Sequence, residues 1–412
     1  MKSKKTNFRP WVVMLAISLI SATCLGSSMV LMGSFLGSIS EATHVSIAIV
    51  SYYYTVLVLI MALMMPVVPK ALASVNNTVI YLIATIAITI SLILIGHVTQ
   101  IWMFFAIAVI IGVAISFMNF VPVGILIDNW FNEKIGLAIG ICWAITSAFQ
   151  GIMSPVLSVW IGSVGWQEAL NTLAIIVGIL SIPCSFLIKF TPKLACSHAF
   201  GKKQGEIAEV EKTQVSTKVI LHSTSFWIVT LLMCLLQFPA VLNQMFPTYV
   251  AAVGFKTTIG GFMVTAAMIF DIFLNPLVGI TGDKFGAEKS SIGWMFVGLG
   301  SLGMLILATN IHSAGLAIAA AGINDIIYVF LGTGITALAQ SIFGSKAFAK
   351  GFSLVGSFSF IIGAFAMPVN NLIVEKFGGF NAVYVFFGIL VLASIGLIIL
   401  GGKNHFEDKR AA

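Results

Sequence analysis

The chain has 412 residues, of which 59% are hydrophobic and only 8% charged, and its mean hydropathy is +1.07. This excludes a water-soluble globule, which carries roughly a quarter of its residues as charges. The formal net charge of +7 belongs to a membrane protein, and the placement of the positive residues makes it a topology signal rather than a sign of nucleic-acid binding.

Crossing the hydrocarbon core takes about 20 apolar residues per helix. Such stretches fall near 11–33, 45–68, 78–96, 101–124, 135–162, 168–190, 224–248, 258–280, 290–309, 313–342, 351–374 and 380–401. Runs this long are not the short alternating segments of an outer-membrane barrel, and only closed backbone hydrogen bonding survives in lipid, so the twelve spans are predicted to be helices. The start, "MKSKKTNFRPWVVMLAISLISATCLG", has the basic head and apolar middle of a signal peptide. Eleven further spans favour a first transmembrane helix, and no lipidation is expected at Cys24 because the branched aliphatic residue three positions before it is missing.

In the second span Tyr52, Tyr53 and Tyr54 are expected either to form an interfacial belt or to turn one ring toward a cavity. The fourth and fifth spans meet at "GILIDNWFNEKIGLAIGI", residues 124 to 141. Gly136, Gly140, Ala144 and Ala148 recur every fourth residue, which allows close helix approach in lipid. Asp128, Glu133 and Lys134 sit at the membrane edge, where charge is cheap, and read as interhelix pairs. This stretch resembles the fourth–fifth helix region of the monocarboxylate-transporter and oxalate–formate-antiporter families, in which an aromatic pair precedes a basic turn and a glycine-spaced helix.

The longest polar stretch, residues 191 to 223, follows the sixth span and divides the chain into bundles at 1–190 and 224–412. Its mixed Lys and Glu read as a solvated tether. The halves carry a weak repeat: "WFNEKIGLAIG" is echoed by "IFGSKAFAKGFSLVG", and Pro155 with "VGWQEA" by Pro368 with "GGFNAV". Parallel duplication is therefore expected.

The eighth span holds "FDIFLNP", Phe270 to Pro276, with Asp271 at its middle and no Lys or Arg within ten residues. The stretch resembles the eighth-helix motif of the monocarboxylate transporters, where an aspartate precedes an arginine by four residues, one helical turn, just before a proline. In that family the arginine holds the substrate carboxylate and the aspartate takes part in proton coupling. Here Asp271 and Pro276 match, but Asn275 stands at the arginine position, and the only two arginines, Arg9 and Arg410, are in the tails. The oxalate-type pair of basic residues in the eighth and eleventh helices is also missing, with Asn370 and Asn371 in the eleventh span. A permanently charged anion clamp is absent.

After the eighth span, "GITGDKFGAEK" resembles the gate loop of the major facilitator superfamily, with Gly279, Asp283, Lys284, Gly286 and Lys289 at the matching positions. The glycines are expected to make a tight turn, and Asp283 to cap a helix end and pair with a base. The corresponding first-half loop, "PVVPKALASVNN", retains only Lys70.

Asp325, in "AAAGINDIIYVFLG" of the tenth span, is the second acid near the midplane. An ionised group there costs about 2.5–3.5 kcal/mol on insertion scales. Hydrocarbon disfavours a bare carboxylate, so an acid held there can exchange a proton near physiological pH or bind a cation. Around the two acids, Tyr328, Asn119, Trp143, Gln150, Asn243, Gln244, Asn324 and Asn371 are candidates to line a solute cavity, and each is equally suited to bonding helix to helix.

Orientation follows from the positive-inside rule. With the amino terminus inside, 19 of the 21 Lys and Arg residues are cytoplasmic, and only Lys256 and Lys376 face outward. Both termini are thus predicted to be cytoplasmic, in a multi-pass protein of the plasma membrane. The five cysteines and six histidines form no CxxC, HExxH or other ligand spacing, so no metal or cofactor is expected. No nucleophile stands beside a base as an enzyme requires, and the twofold repeat does not supply the rings of a channel. The expected protein is a twelve-helix, all-α secondary transporter of the major facilitator type, moving a small organic solute by alternating access, with one chain sufficient. By resemblance the solute is a monocarboxylate or related anion carried with protons. The alternative is an amine or amino acid paired with the aspartates, and a non-transporting receptor is a third reading.

Overall fold

The computed structural model describes residues 8–64, 67–118, 120–131, 135–189, 191–192, 198–201, 216–404 and 406. Twelve helical spans follow in order: α1 Arg9–Thr43, α2 Ile47–Met64, α3 Asn77–Ile95, α4 Ile101–Ile115 continued by Phe120–Trp130, α5 Ile135–Val164, α6 Trp166–Leu187, α7 Thr224–Val253, α8 Thr257–Phe285, α9 Ala287–Asn310, α10 Ala314–Gly344, α11 Gly351–Lys376 and α12 Phe380–Lys403. They pack as two six-helix bundles, α1–α6 and α7–α12. The start of α1, the end of α6, the start of α7, the α8–α9 turn and the end of α12 share one face, here the near face. The opposite, far face carries the α1–α2, α7–α8 and α11–α12 turns.

The first and fourth helices of each bundle are interrupted within the apolar layer. In α1 a π turn at Ser21–Leu25 is followed by Met29, outside the helical region, and by a 3-10 stretch at Leu31–Phe35. The Tyr53 and Tyr54 hydroxyls each donate to α1, at 3.0 Å to the carbonyls of Ser28 and Met29. These tyrosines are buried and serve the broken backbone; neither forms a belt nor lines a cavity. In hydrocarbon a freed carbonyl must find a donor, which is why a break in one helix is matched by hydroxyls on another. The helix of α4 stops before Ser116, α7 breaks at Val241, and α10 breaks at Asp325 and carries a π turn at Phe330–Gly334.

The internal repeat has a structural counterpart at the near face. Phe200, beyond α6, donates its backbone N–H to the Trp130 carbonyl at 2.8 Å, and its ring lies 5.7 Å from that of Phe131 and 5.5 Å from Trp11. Phe406, beyond α12, donates to the Ile342 carbonyl at 2.8 Å, with its ring 6.5 Å from Phe343. Each bundle is therefore strapped by the residues that follow its sixth helix, at the end of its fourth. The anchoring pairs, Trp130–Phe131 and Ile342–Phe343, are the first two positions of the repeated stretches.

Two long seams join the bundles, α5 against α8 and α2 against α11. Each has a threonine donating across it to a backbone carbonyl: Thr265 to Gly151 at 2.5 Å and Thr55 to Ala364 at 2.6 Å. Gly151 and Ala364 stand four residues before Pro155 and Pro368, so the two bonds are repeat-related. Close approach is built with glycine: a Cβ on Gly261 would strike the Pro155 backbone, and one on Gly33 of α1 the Gln244 backbone of α7. Toward the far face, Asn371 donates to the Ser51 hydroxyl at 2.6 Å and the Ala48 N–H donates to Glu375 at 3.0 Å. These contacts all lie between the middle of the spans and the far face, which they hold shut.

Candidate functional site

Asp271 lies midway along α8 and is 8% exposed. Both its oxygens are engaged. Asn275, one turn on, donates to Oδ1 at 2.9 Å and to the Asp271 carbonyl at 3.0 Å. The Thr333 hydroxyl, in the π turn of α10, donates to Asn275 Oδ1 at 2.6 Å, which fixes the amide orientation. The second carboxyl oxygen, Oδ2, meets the Ser147 hydroxyl of α5 at 2.8 Å. Asp271 thus spans the boundary between bundles, and Asn275 bonds to the acid.

Asp325 stands at the break of α10 and is 1% exposed. Asn243, just past the break of α7, donates to its Oδ1 at 2.7 Å, while Oδ2 has no hydrogen-bond partner. A buried polar atom left unpaired costs about 1–3 kcal/mol. Tyr328, one turn beyond Asp325 on α10, is 42% exposed.

Of the other residues expected at a cavity, Asn243 and Asn275 are brought to the acids as described. Gln244 is buried, with its Oε1 also unpartnered. Gln150 packs on α1 against Gly26, and Trp143 lies on the same helix as Ser147. Asn324 turns into its own bundle, donating to Ser301 at 2.8 Å. Asn371 belongs to the far-face seam with Ser51 rather than to the midplane. Asn119 lies outside the described residues.

The near-face motif is more helical than expected. Gly279, Asp283 and Lys284 lie within α8, and the turn reduces to Gly286, at φ 87°, before α9 begins. Asp283, Lys284 and Lys289 are exposed, and Lys284 sits 5.4 Å over the Phe285 ring. The polar neighbours of the acids that the sequence reading did not single out are Ser147 and Thr333. Their only signal was a hydroxyl at midspan, shared with many others.

Helices broken at mid-membrane around buried acids, between two bundles that are sealed on one face, define a membrane transporter that works by alternating access. The sequence pattern of the Major Facilitator Superfamily matches residues 17–344 and 253–411, and the chain belongs to that family. It is a multi-pass membrane transporter, not an enzyme. No curated protein matches it in sequence. Among solved structures it is similar to the nucleoside transporter NupG, at 12% identity over 96% of this chain and 98% of that one, with a TM-score of 0.73. It is also similar to a bacterial homologue of the human lysosomal transporter Spinster in an inward-facing, unoccupied conformation, at 14% identity over 98% and 100% of the two chains, with a TM-score of 0.63. At these identities the likeness is one of fold.

Proposed function

We propose that the chain is a proton-coupled carrier of a small organic solute in the cell membrane, with both ends in the cytoplasm. The observation that supports this is the bond between Ser147 and Asp271: a titratable group at midspan ties together the two bodies whose relative motion exposes the site. Protonation changes the charge of that tie, so taking up or giving up a proton biases the rocking of the bundles. In this reading the bundles are residues 1–190 and 224–412, residues 191–223 are the tether, and one chain forms a complete carrier. The charge-derived orientation makes the near face cytoplasmic, and the bonded far face then corresponds to an inward-facing carrier.

Two solute classes follow from the sequence. The likeness of "FDIFLNP" to the monocarboxylate transporters suggests a monocarboxylate, held by amides, tyrosine and helix ends. Asn275 at the arginine position, and already engaged by Asp271 and Thr333, favours an amine or amino acid instead. Reconstitution in liposomes tests the coupling. An imposed pH gradient should drive accumulation of a transported solute, and Asp271→Asn should abolish that drive while leaving solute exchange intact. Binding without movement would mark a receptor and overturn the proposal.

A further inference from the structure

The two aspartates are not equivalent in their surroundings, and we infer that they divide the work: Asp325 is the counter-ion for a positively charged ammonium group of the solute. This rests on the carrier reading above and narrows its substrate class.

Three observations carry it. Asp325 is 1% exposed, with Oδ1 fixed as an acceptor by Asn243 and Oδ2 aimed at no protein donor. Asp271, by contrast, has partners on both oxygens. The second observation is the charge balance. Both carboxyls are buried near the middle of their spans, and the sequence places no Lys or Arg in the middle of any span. Two like charges in low dielectric are stable together only with a proton or another cation between or beside them. The third is an aromatic ring one turn from the acid. Tyr328 follows Asp325 by three residues on α10 and is 42% exposed, and an aromatic ring close to a carboxylate suits an ammonium, which gains from both. Gln244, adjoining Asn243, offers a further unpartnered acceptor, Oε1. Orphan acceptors ask for a donor, and a carboxylate solute brings none.

Matched small probes test this: propylamine, alanine, propionamide and propionate, together with sodium chloride in a potassium buffer, each added to the purified full-length protein at neutral pH while its melting temperature is followed. Propylamine and alanine should stabilise the wild type. Asp325→Asn should weaken that response by at least about tenfold, since it removes the charge partner, and Glu375→Gln, at the far-face seam, should retain it. Because Asp325→Asn could fail to fold, Asp325→Glu provides a second reading, with the amine response shifted but present and the order of the probes unchanged. Stabilisation by propionate or propionamide equal to that by the amines, reproduction of the effect by sodium alone, an unchanged amine response in Asp325→Asn, or no response to either amine would each overturn the assignment. Failure of the coupling reading looks different: alanine binds through Asp325 but does not accumulate down a pH gradient. If propionate enters with a proton while no amine binds, the coupling reading stands and this one falls.

Discussion

The α5–α8 and α2–α11 seams are built to one plan by duplication, with a threonine bonded to a carbonyl in each, yet they differ where it matters for function. At the middle of α5–α8 a carboxyl meets a hydroxyl, Asp271 with Ser147. In α2–α11 the acid, Glu375, lies at the far face, bonded to the backbone of Ala48. A charge near water is cheap and mostly structural, whereas the same charge at midspan is costly and responsive to protons. Shared architecture thus supplies two seams, and among the described residues only the first carries a buried carboxyl.

The comparison is broken most severely by removing that group. Asp271→Asn is expected to eliminate pH-gradient-driven accumulation in proteoliposomes, while Glu375→Gln in the other seam leaves the gradient dependence in place. Equal loss from both would mean that the seams do not differ in coupling. Next in size is steric. Gly261→Val places a side chain against the Pro155 backbone, so the far face should no longer close. Spin-label distances across that face should lengthen and transport should fall severely in protein that still folds. An unaltered distance distribution would contradict the close-approach role.

Smaller effects sharpen the likeness between the seams. Thr265→Val and Thr55→Val each remove one neutral hydrogen bond across a seam, worth about 0.5–1.5 kcal/mol. Both should shift the population away from the far-face-closed state by similar amounts in the same distance measurement. A shift from one alone would show that only one seam is under load. The smallest change is expected at the straps: Phe200→Ala and Phe406→Ala each lose an aromatic contact worth about 0.5–1.5 kcal/mol beyond its buried area. Matching small drops in melting temperature would support the repeat relation, whereas no drop from either would make the straps incidental.

The acids were legible in the sequence because a carboxyl within a run of apolar residues has no cheap explanation. Their partners were not. Serine and threonine in a membrane helix commonly bond back to the carbonyl four residues earlier, as Ser18 does to Met14, Ser181 to Val177 and Thr230 to Phe226. Ser147 and Thr333 look no different from these in the sequence, and only packing turns them outward. Asn371 and Asn324 illustrate the reverse, being polar at suggestive depths but engaged at the far face and inside one bundle. The breaks in α1, α4, α7 and α10 were hidden for a related reason: the hydroxyls that rescue the α1 carbonyls come from Tyr53 and Tyr54, 25 residues away.

Hydropathy, charge placement and the repeated junctions determined by themselves that the chain crosses the membrane as two related groups of six helices with two acids at their centre, because those are properties of local composition. Which oxygen of which acid is satisfied depended on tertiary structure. The Ser147–Asp271 pair joins residues 124 apart and the Asn243–Asp325 pair residues 82 apart, and contacts at that separation exist only once the helices have packed and excluded both water and alternative partners.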